Sequence, residues 1–325
     1  MMDDESANCI SEDLDSADWK VRLPRVQRMD WTPTCEQIER GLSDSSEDVR
    51  VAWVKRMDWT PTPEQVEMGL SKPNSDVYVT WVKRMDWTPT PEQVEDGLTC
   101  GFGSIRRVWA ERSGYTPTHE QVERGLNDDD VGIRSVWAGR MDFTPTQEQI
   151  ETMLKDWCAV RCACAKRKDW TPTPEQVEMG LSDSEFEVRA AWVERTDFSP
   201  TTEQVDRGLK DNSSLLRSAW AKRMDRTPTP EQVSAGINDW DNEVRAAWAR
   251  RGDWTPTSEQ AAKGLEDFMV DVRLAWIKRI DFTPTHEQIE RGLNDSSSII
   301  RDPWMRRLKM EQEKLLEDVD SEMSL

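Results

Sequence analysis

A 28-residue stretch recurs ten times between residues 29 and 307, and this period limits the fold more than any other feature of the chain. The copies are 29–56, 57–84, 85–112, 113–140, 141–167, 168–195, 196–223, 224–251, 252–279 and 280–307, and only the fifth is one residue short. A half copy precedes them, because Val21, Arg22 and Arg28 align with Val49, Arg50 and Arg56. A fixed period of this size means a solenoid, an array or a propeller. In a solenoid each unit touches only its neighbours, so length ceases to measure domain number.

Each copy opens on a turn, usually Asp, an aromatic residue, then Thr-Pro-Thr. The aromatic is Trp31, Trp59, Trp87, Tyr115, Phe143, Trp170, Phe198, Trp254 and Phe282, with Arg226 the exception. The second Thr (Thr34, Thr62, Thr90) is followed three residues on by Gln (Gln37, Gln65, Gln93). That pattern predicts a capping box and a helix start. Pro63, Pro91, Pro174 and Pro230 occupy the first helical position, where a missing N–H costs nothing. The first helix is short, with Val66 and Leu70 on one face. Gly69 between them either permits close helix contact or begins the helix stop. A second helix is predicted to open at an Asp such as Asp44, Asp183 or Asp239, with Asp44 and Glu47 forming another capping box. Val49, Ala52 and Trp53 form its apolar face, and Lys55-Arg56 suit its negative end. No strand-like alternation occurs. Neither helix is long enough to stand alone, so each must bury its stripe against the next unit.

The formal charge is −20, of which −7 lies in residues 1–18 and −4 in residues 308–325. The reading is an acidic flexible tail over 1–18, a half-repeat cap over 19–28 in which Pro24 shortens the helix, the array over 29–307, and a capping helix with an acidic tail over 308–325. Pro303 is expected to disturb the last copy. Six cysteines at irregular spacing do not make a disulfide framework, no apolar run is long enough for a membrane helix, and the N-terminus lacks signal-peptide features. A reducing, cytoplasm-like compartment follows.

The second-helix pattern Asp44…Val49-Arg50-x-Ala52, repeated at Asp183…Val188-Arg189 and Asp239…Val244-Arg245, resembles the second helix of HEAT-like repeats. The preceding TPTPEQVE segment is similar to the opening of the leucine-rich repeat variant family. The resemblance implies an all-α, right-handed α-solenoid of about ten 28-residue two-helix repeats, with Asp and Arg ladders crossing between neighbours. Copy two has Lys72 and Tyr78 at the ladder positions and copy three has Cys100 at the Asp position, which predicts a weak joint near residues 70–106. Copy five drops a residue before Val160-Arg161 and has Met153 for Gly and Cys164 for Trp. Cys158, Cys162 and Cys164 read either as a metal or redox site, since the variant family includes an iron–sulfur member, or as small side chains filling space a Trp has vacated.

Catalytic chemistry has little support. His119 and His286 are the only histidines and both fall at the variable first position of the first helix. There is no phosphate loop, nucleophile elbow or zinc-protease motif. No cofactor is expected. Solenoids bind along extended concave surfaces, with specificity at positions that vary between copies. On the second helix these are Val51/Lys55, Val79/Lys83, Arg107/Glu111, Ser135/Gly139, Ala190/Glu194, Ser218/Lys222, Ala246/Arg250 and Leu274/Lys278. The loop before it carries Phe102, Phe186, Trp240 and Phe268-Met269, which either meet a partner or tuck under the neighbouring turn. The chain is thus expected to be a non-enzymatic scaffold binding a partner protein along the solenoid groove. The alternatives are an acidic DNA mimic that inhibits a nucleic-acid-binding protein, and a HEAT-like nucleic-acid binder using the arginine lines Arg50, Arg106, Arg134 and Arg56, Arg84, Arg112. Net negative charge argues against the last.

Overall fold

The computed structural model describes residues 13–73, 75–223 and 225–309, and every regular element among them is a helix. The chain divides into two compact units, Met1–Cys164 and Ala165–Leu325, with the boundary inside the second helix of copy five, Cys158–Lys166. In the first unit the helices Trp19–Gln27, Glu47–Lys55, Asp76–Lys83, Gly103–Glu111 and Val131–Gly139 pack in series. In the second unit Phe186–Val193, Ser214–Lys222, Asn242–Arg250 and Val270–Ile277 do the same. A first helix of seven or eight residues precedes each second helix from copy one on. Each unit is an α-solenoid.

All ten first helices open on a complete capping box, the Thr side chain accepting from the Gln backbone and the Gln side chain from the Thr backbone. The Gln also serves the fold elsewhere. The Nε2 groups of Gln121, Gln149, Gln204 and Gln232 donate to an acid on the preceding first helix: Glu95, Glu123, Glu178 and Asp206. Arg207 and Gln204 together hold the Glu178 carboxyl down to about 2. The second helix does not begin with the box expected at Asp44 and Glu47. It starts at Glu47 with Ser46 as a cap that makes no side-chain bond. The Asp44 carboxylate is already engaged, accepting from Ser46 N–H at 2.8 Å and from the Arg22 fork at 2.7 Å on both oxygens.

That fork is the first rung of an Asp–Arg ladder between adjacent copies. Arg106–Asp128 and Arg134–Asp156 continue it in the first unit, and Arg189–Asp211, Arg217–Asp239, Arg245–Asp267 and Arg273–Asp295 in the second. Bonding to Arg134 holds the Asp156 carboxyl below the ordinary range. The ladder is interrupted where the weak joint is expected. Arg50 forms no ion pair among the described residues and bonds the carbonyls of Asp44 and Ser45. Tyr78 replaces the next arginine and its hydroxyl accepts from Trp109 Nε1 at 2.9 Å. The helices nevertheless stay stacked through this stretch, because a second, deeper arginine line is unbroken there.

Arg84 shows that deeper line. It is 4% exposed, and all five guanidinium N–H groups are used. Nη1 donates to the carbonyls of Val54 (2.9 Å) and Arg56 (2.8 Å), Nη2 to that of Trp59 (2.8 Å), and Nε and Nη2 to the Asp86 carboxylate (2.9 and 2.5 Å). The guanidinium carbon also lies 4.3 Å from the Trp59 ring centroid. Arg56, Arg195, Arg251 and Arg279 are buried in the same way. The pairing with an Asp two residues on was legible in the sequence; the reach to three carbonyls some 25 to 30 residues back was not.

The apolar core is as regular. The ring that opens a copy packs edge-to-face on the second-helix Trp, as for Trp31 and Trp53, whose centroids are 5.9 Å apart at 85°. That Trp lies flat on the glycine of the first helix: a Cβ built on Gly69 would fall 2.1 Å from Trp81 Nε1, and one on Gly125 2.2 Å from Trp137 Nε1. Close contact, not helix termination, is the glycine's role. Copy five reverses the pair, with Met153 and Cys164 both fully buried. A longer side chain from the first helix takes up the volume that the indole fills elsewhere. This favours packing as the reason for Cys164.

At the N-terminal end, Leu14 is buried in the core with Val26 and Trp31, and the Ser16 carbonyl accepts from Arg22 Nη1 at 2.6 Å. Residues 13–18 therefore dock on the first copies instead of forming part of a flexible tail, because Leu14 supplies an apolar anchor. Pro24 sits inside Trp19–Gln27 without ending it, on an exposed face where the loss of its N–H is least costly. Pro303 is likewise accommodated within a helix that runs over 298–309. The expected tail over 1–12 and the remainder of the C-terminal segment, 310–325, lie outside the described residues.

Four outcomes are expected. Replacing Trp220 by Ala costs ~3–5 kcal/mol in denaturant unfolding, the range for a large residue removed from a packed core. Gly208→Met, where a Cβ would meet Trp220 at 1.9 Å, is destabilising alone but recovers most of the loss when combined with Trp220→Cys. Arg84→Ala costs roughly 3–5 kcal/mol, as when one partner leaves a buried ion pair, and Arg84→Lys restores less than half because three donors replace five. Lys72→Asp, which supplies Arg50 with its missing acid, raises stability by about 1 kcal/mol, the upper end for a partly exposed pair; an unmoved urea midpoint would contradict the ladder's role.

Candidate functional site

With both arginine lines committed to the interior, the residues left for recognition are those on the solvent side of the second helices and in the turns before them. The two second-helix positions behave differently. Lys55, Lys83, Glu111, Gly139, Glu194, Lys222, Arg250 and Lys278 are all exposed. The position directly after the ladder arginine faces the neighbouring copy. Val51, Val79, Ser135, Ala190 and Leu274 are half-buried, and Arg107 alone is exposed, paired with Glu111 at 2.9 Å. Ser218 and Ala246 are fully buried. Ser218 is thus corrected from a surface residue to an inter-repeat one, the neighbouring helix packing over a short side chain.

The turn aromatics do not tuck away. Phe186 is 38% exposed, Phe102 48%, Trp240 74% and Phe268 79%. Trp240 and Phe268 share one register, directly after the ladder Asp of consecutive copies in the second unit. Each is held from both sides. Arg217 bonds Asp239 at 2.7 and 2.8 Å and lies 4.8 Å from the centroid of the Trp240 ring. Arg245 bonds Asp267 at 2.7 and 3.0 Å and lies 5.0 Å from that of Phe268. The backbone of each turn is pinned by its own copy: Arg245 Nη1 donates to the carbonyls of Asp239 and Trp240, and Arg273 Nη1 to those of Asp267 and Phe268. Asp241 flanks Trp240 and caps the next helix, accepting from Glu243 and Val244 N–H. Burial opposes its charge, but the Ser214 hydroxyl and these N–H groups prevail and keep its carboxyl below the usual range.

Trp157 in the first unit occupies the same register, after Asp156, and is 69% exposed. Its place after a ladder Asp is the signal that identifies it, and the irregularity of copy five hides it. A second exposed apolar line went unread because it sits inside the repeat consensus: Met29, Met57, Met85, Met141 and Ile280, each before the turn Asp and each more than half exposed.

The catalytic and metal-ligating candidates do not assemble. His119 and His286 are exposed at the first position of their helices. Cys158 is exposed, Cys162 half-buried and Cys164 buried, and among the described residues no three ligating side chains converge. Where Arg226 replaces the opening aromatic, its Nη1 turns to the Pro200 carbonyl and a cavity of about 20 Å³ remains beside Trp220 and Trp248, room for one water. No helix among the described residues is long and apolar enough to cross a membrane.

Residues 286–302 match the HEAT repeat associated with sister chromatid cohesion. No curated protein matches the sequence. A solved structure described as a leucine-rich repeat variant with a novel repetitive protein structural motif is similar at 22% identity and a TM-score of 0.46, over 66% of this chain and 80% of that one. Paired short helices stacked in series, an Asp–Arg ladder between neighbours and a repeat of 28 residues make the chain an α-helical repeat protein, similar over residues 286–302 to a HEAT repeat.

Proposed function

We propose that this chain is a non-enzymatic scaffold that binds a partner protein along the exposed side of its second helices and the turns before them, in a reducing, cytoplasm-like compartment. The observation that carries this reading is the set of exposed aromatic side chains, Trp157, Trp240 and Phe268, at one register of the repeat. Large aromatics held in place before binding lose little conformational freedom on binding, which is what makes them effective anchors at protein interfaces. Lys55, Lys83, Lys222, Arg250 and Lys278 on one side and the turn aromatics on the other vary the chemistry along a shared frame, although the first two copies match. Nucleic-acid binding is disfavoured because the arginines that would meet phosphate are paired with Asp or buried against carbonyls.

The test is affinity capture from nuclease-treated native lysate with the whole chain and with the Trp157→Ala/Trp240→Ala/Phe268→Ala variant, its helicity checked by circular dichroism. Proteins retained by the first and lost by the second are expected. Equal recovery by both would remove this surface from the reading. A recovered DNA-binding protein that is released by competing DNA would favour the acidic mimic instead, and nucleic acid lost steeply with salt would overturn both.

A further inference from the structure

Trp240 and Phe268 each have one ring face occupied by an arginine of their own chain and the remainder open to solvent. The occupied face demonstrates what the ring accepts at this register, a guanidinium beside a carboxylate. The same chemistry is available outside. Asp241 and Glu243 follow Trp240 in sequence, and Asp271 follows Phe268, while Asp239 and Asp267 are already neutralised by their ladder arginines. Glu243 and Asp271 are exposed and form no ion pair among the described residues, whereas Asp241 caps its helix and feels the charge of Arg217. An aromatic face next to an uncompensated carboxylate attracts a cation through the ring quadrupole and the charge together.

Resting on the scaffold reading above, we infer that the Trp240–Phe268 edge is a docking site for an extended, basic segment of the partner protein, with arginine or lysine side chains laid on the two rings. Packed helices are spaced about 8–10 Å apart, and turns that sit on adjacent helices inherit that spacing. A polyproline II strand advances about 9 Å in three residues, so a basic side chain at every third position meets one ring per copy. Such a strand carries no internal hydrogen bonds, and its backbone needs none from the scaffold. The rings are held by Arg217 and Arg245 and the turn carbonyls by Arg245 and Arg273, so the site is formed before the segment arrives.

The probe is a fluorescein-labelled 12-residue peptide of four Gly-Pro-Arg triplets, titrated into the full chain and followed by anisotropy. Trp240→Ala/Phe268→Ala alters no charge and removes side chains already in water, so it separates ring contacts from the general attraction of an acidic protein. It is expected to weaken binding at least tenfold, and Glu243→Gln/Asp271→Asn to weaken it severalfold and flatten its salt dependence. Affinity unchanged in the aromatic variant overturns the inference, as attraction is then diffuse. A second readout uses the full chain with p-benzoylphenylalanine in place of Trp240, crosslinked in native lysate, and the attached peptide is sequenced. A segment with regularly spaced Arg or Lys supports the site. An acidic or uncharged segment overturns the site but leaves the scaffold reading intact, and loss of every crosslink overturns both.

Discussion

Everything in the structure depends on an arginine with no hydrogen left over. At the ends of the second helices that close on Arg56, Arg84, Arg195, Arg251 and Arg279 a guanidinium enters the interior and finds five acceptors in a fixed fork, three of them main-chain carbonyls of the preceding turn and helix end, while Arg112, with Gly114 in place of the Asp, keeps the three carbonyls alone. Burying a charge costs several kcal/mol unless its hydrogen-bonding capacity is filled. Here the acceptors belong to three consecutive copies, so filling that capacity requires the copies to stack in register. The Arg–Asp pair two residues apart and the carbonyls at 25, 28 and 30 residues back tie each such arginine to the turn and helix end of its neighbours.

Copy five shows how the constraint is respected when a residue is lost. The deletion falls in the turn between Asp156 and Val160, outside both the Arg134–Asp156 rung and the Arg167–Asp169 pair. Arg167 keeps Asp169 at 3.0 and 2.6 Å, and Arg134 keeps Asp156. Only the turn changes, the Asp156 carboxylate accepting from the next residue's N–H where other ladder acids accept from the residue after that. In the core of the same copy the Gly–Trp pair becomes Met–Cys, an exchange of volume across one contact. Volume-conserving exchanges are the ones a packed interior tolerates.

The helix pairs, the capping boxes and the ladder of Asp44-type and Arg22-type residues were legible in the sequence because each is local or repeats at a fixed offset. Trp53 as a core residue was legible from its spacing with Val49. The glycine's partner was not, since a bare Gly69 is compatible with either a close contact or a helix stop, and only the indole lying on it decides. The second role of Gln121, the carbonyls that Arg84 reaches and the docking of Leu14 all depend on chain segments distant in sequence, and carbonyls carry no letter in a sequence. The site residues divide on the same principle. Lys55 and its equivalents were correctly read as exposed because they lie opposite the Trp stripe. Ser218 was misread because the position beside the arginine borders the next copy, and the size of the neighbour decides whether it is covered.

The position that follows the ladder Asp is where this architecture can vary without cost. Its carbonyl is bonded by the arginine of its own copy, as Arg50 bonds Ser45 and Arg245 bonds Trp240, so the turn keeps its shape whatever side chain it bears. Ser45, Asp129, Ser184, Asn212, Trp240 and Phe268 all occupy it. A side chain there points away from the core, and beyond the stacking of Trp240 on Arg217 and Phe268 on Arg245 it adds little to what the clamp and the Gly–Trp contact supply. A Trp at this register in water is therefore not explained by folding. Exposure of that much apolar ring carries a hydration cost that the Ser and Asn copies avoid, and a contact made outside the chain is what would offset it.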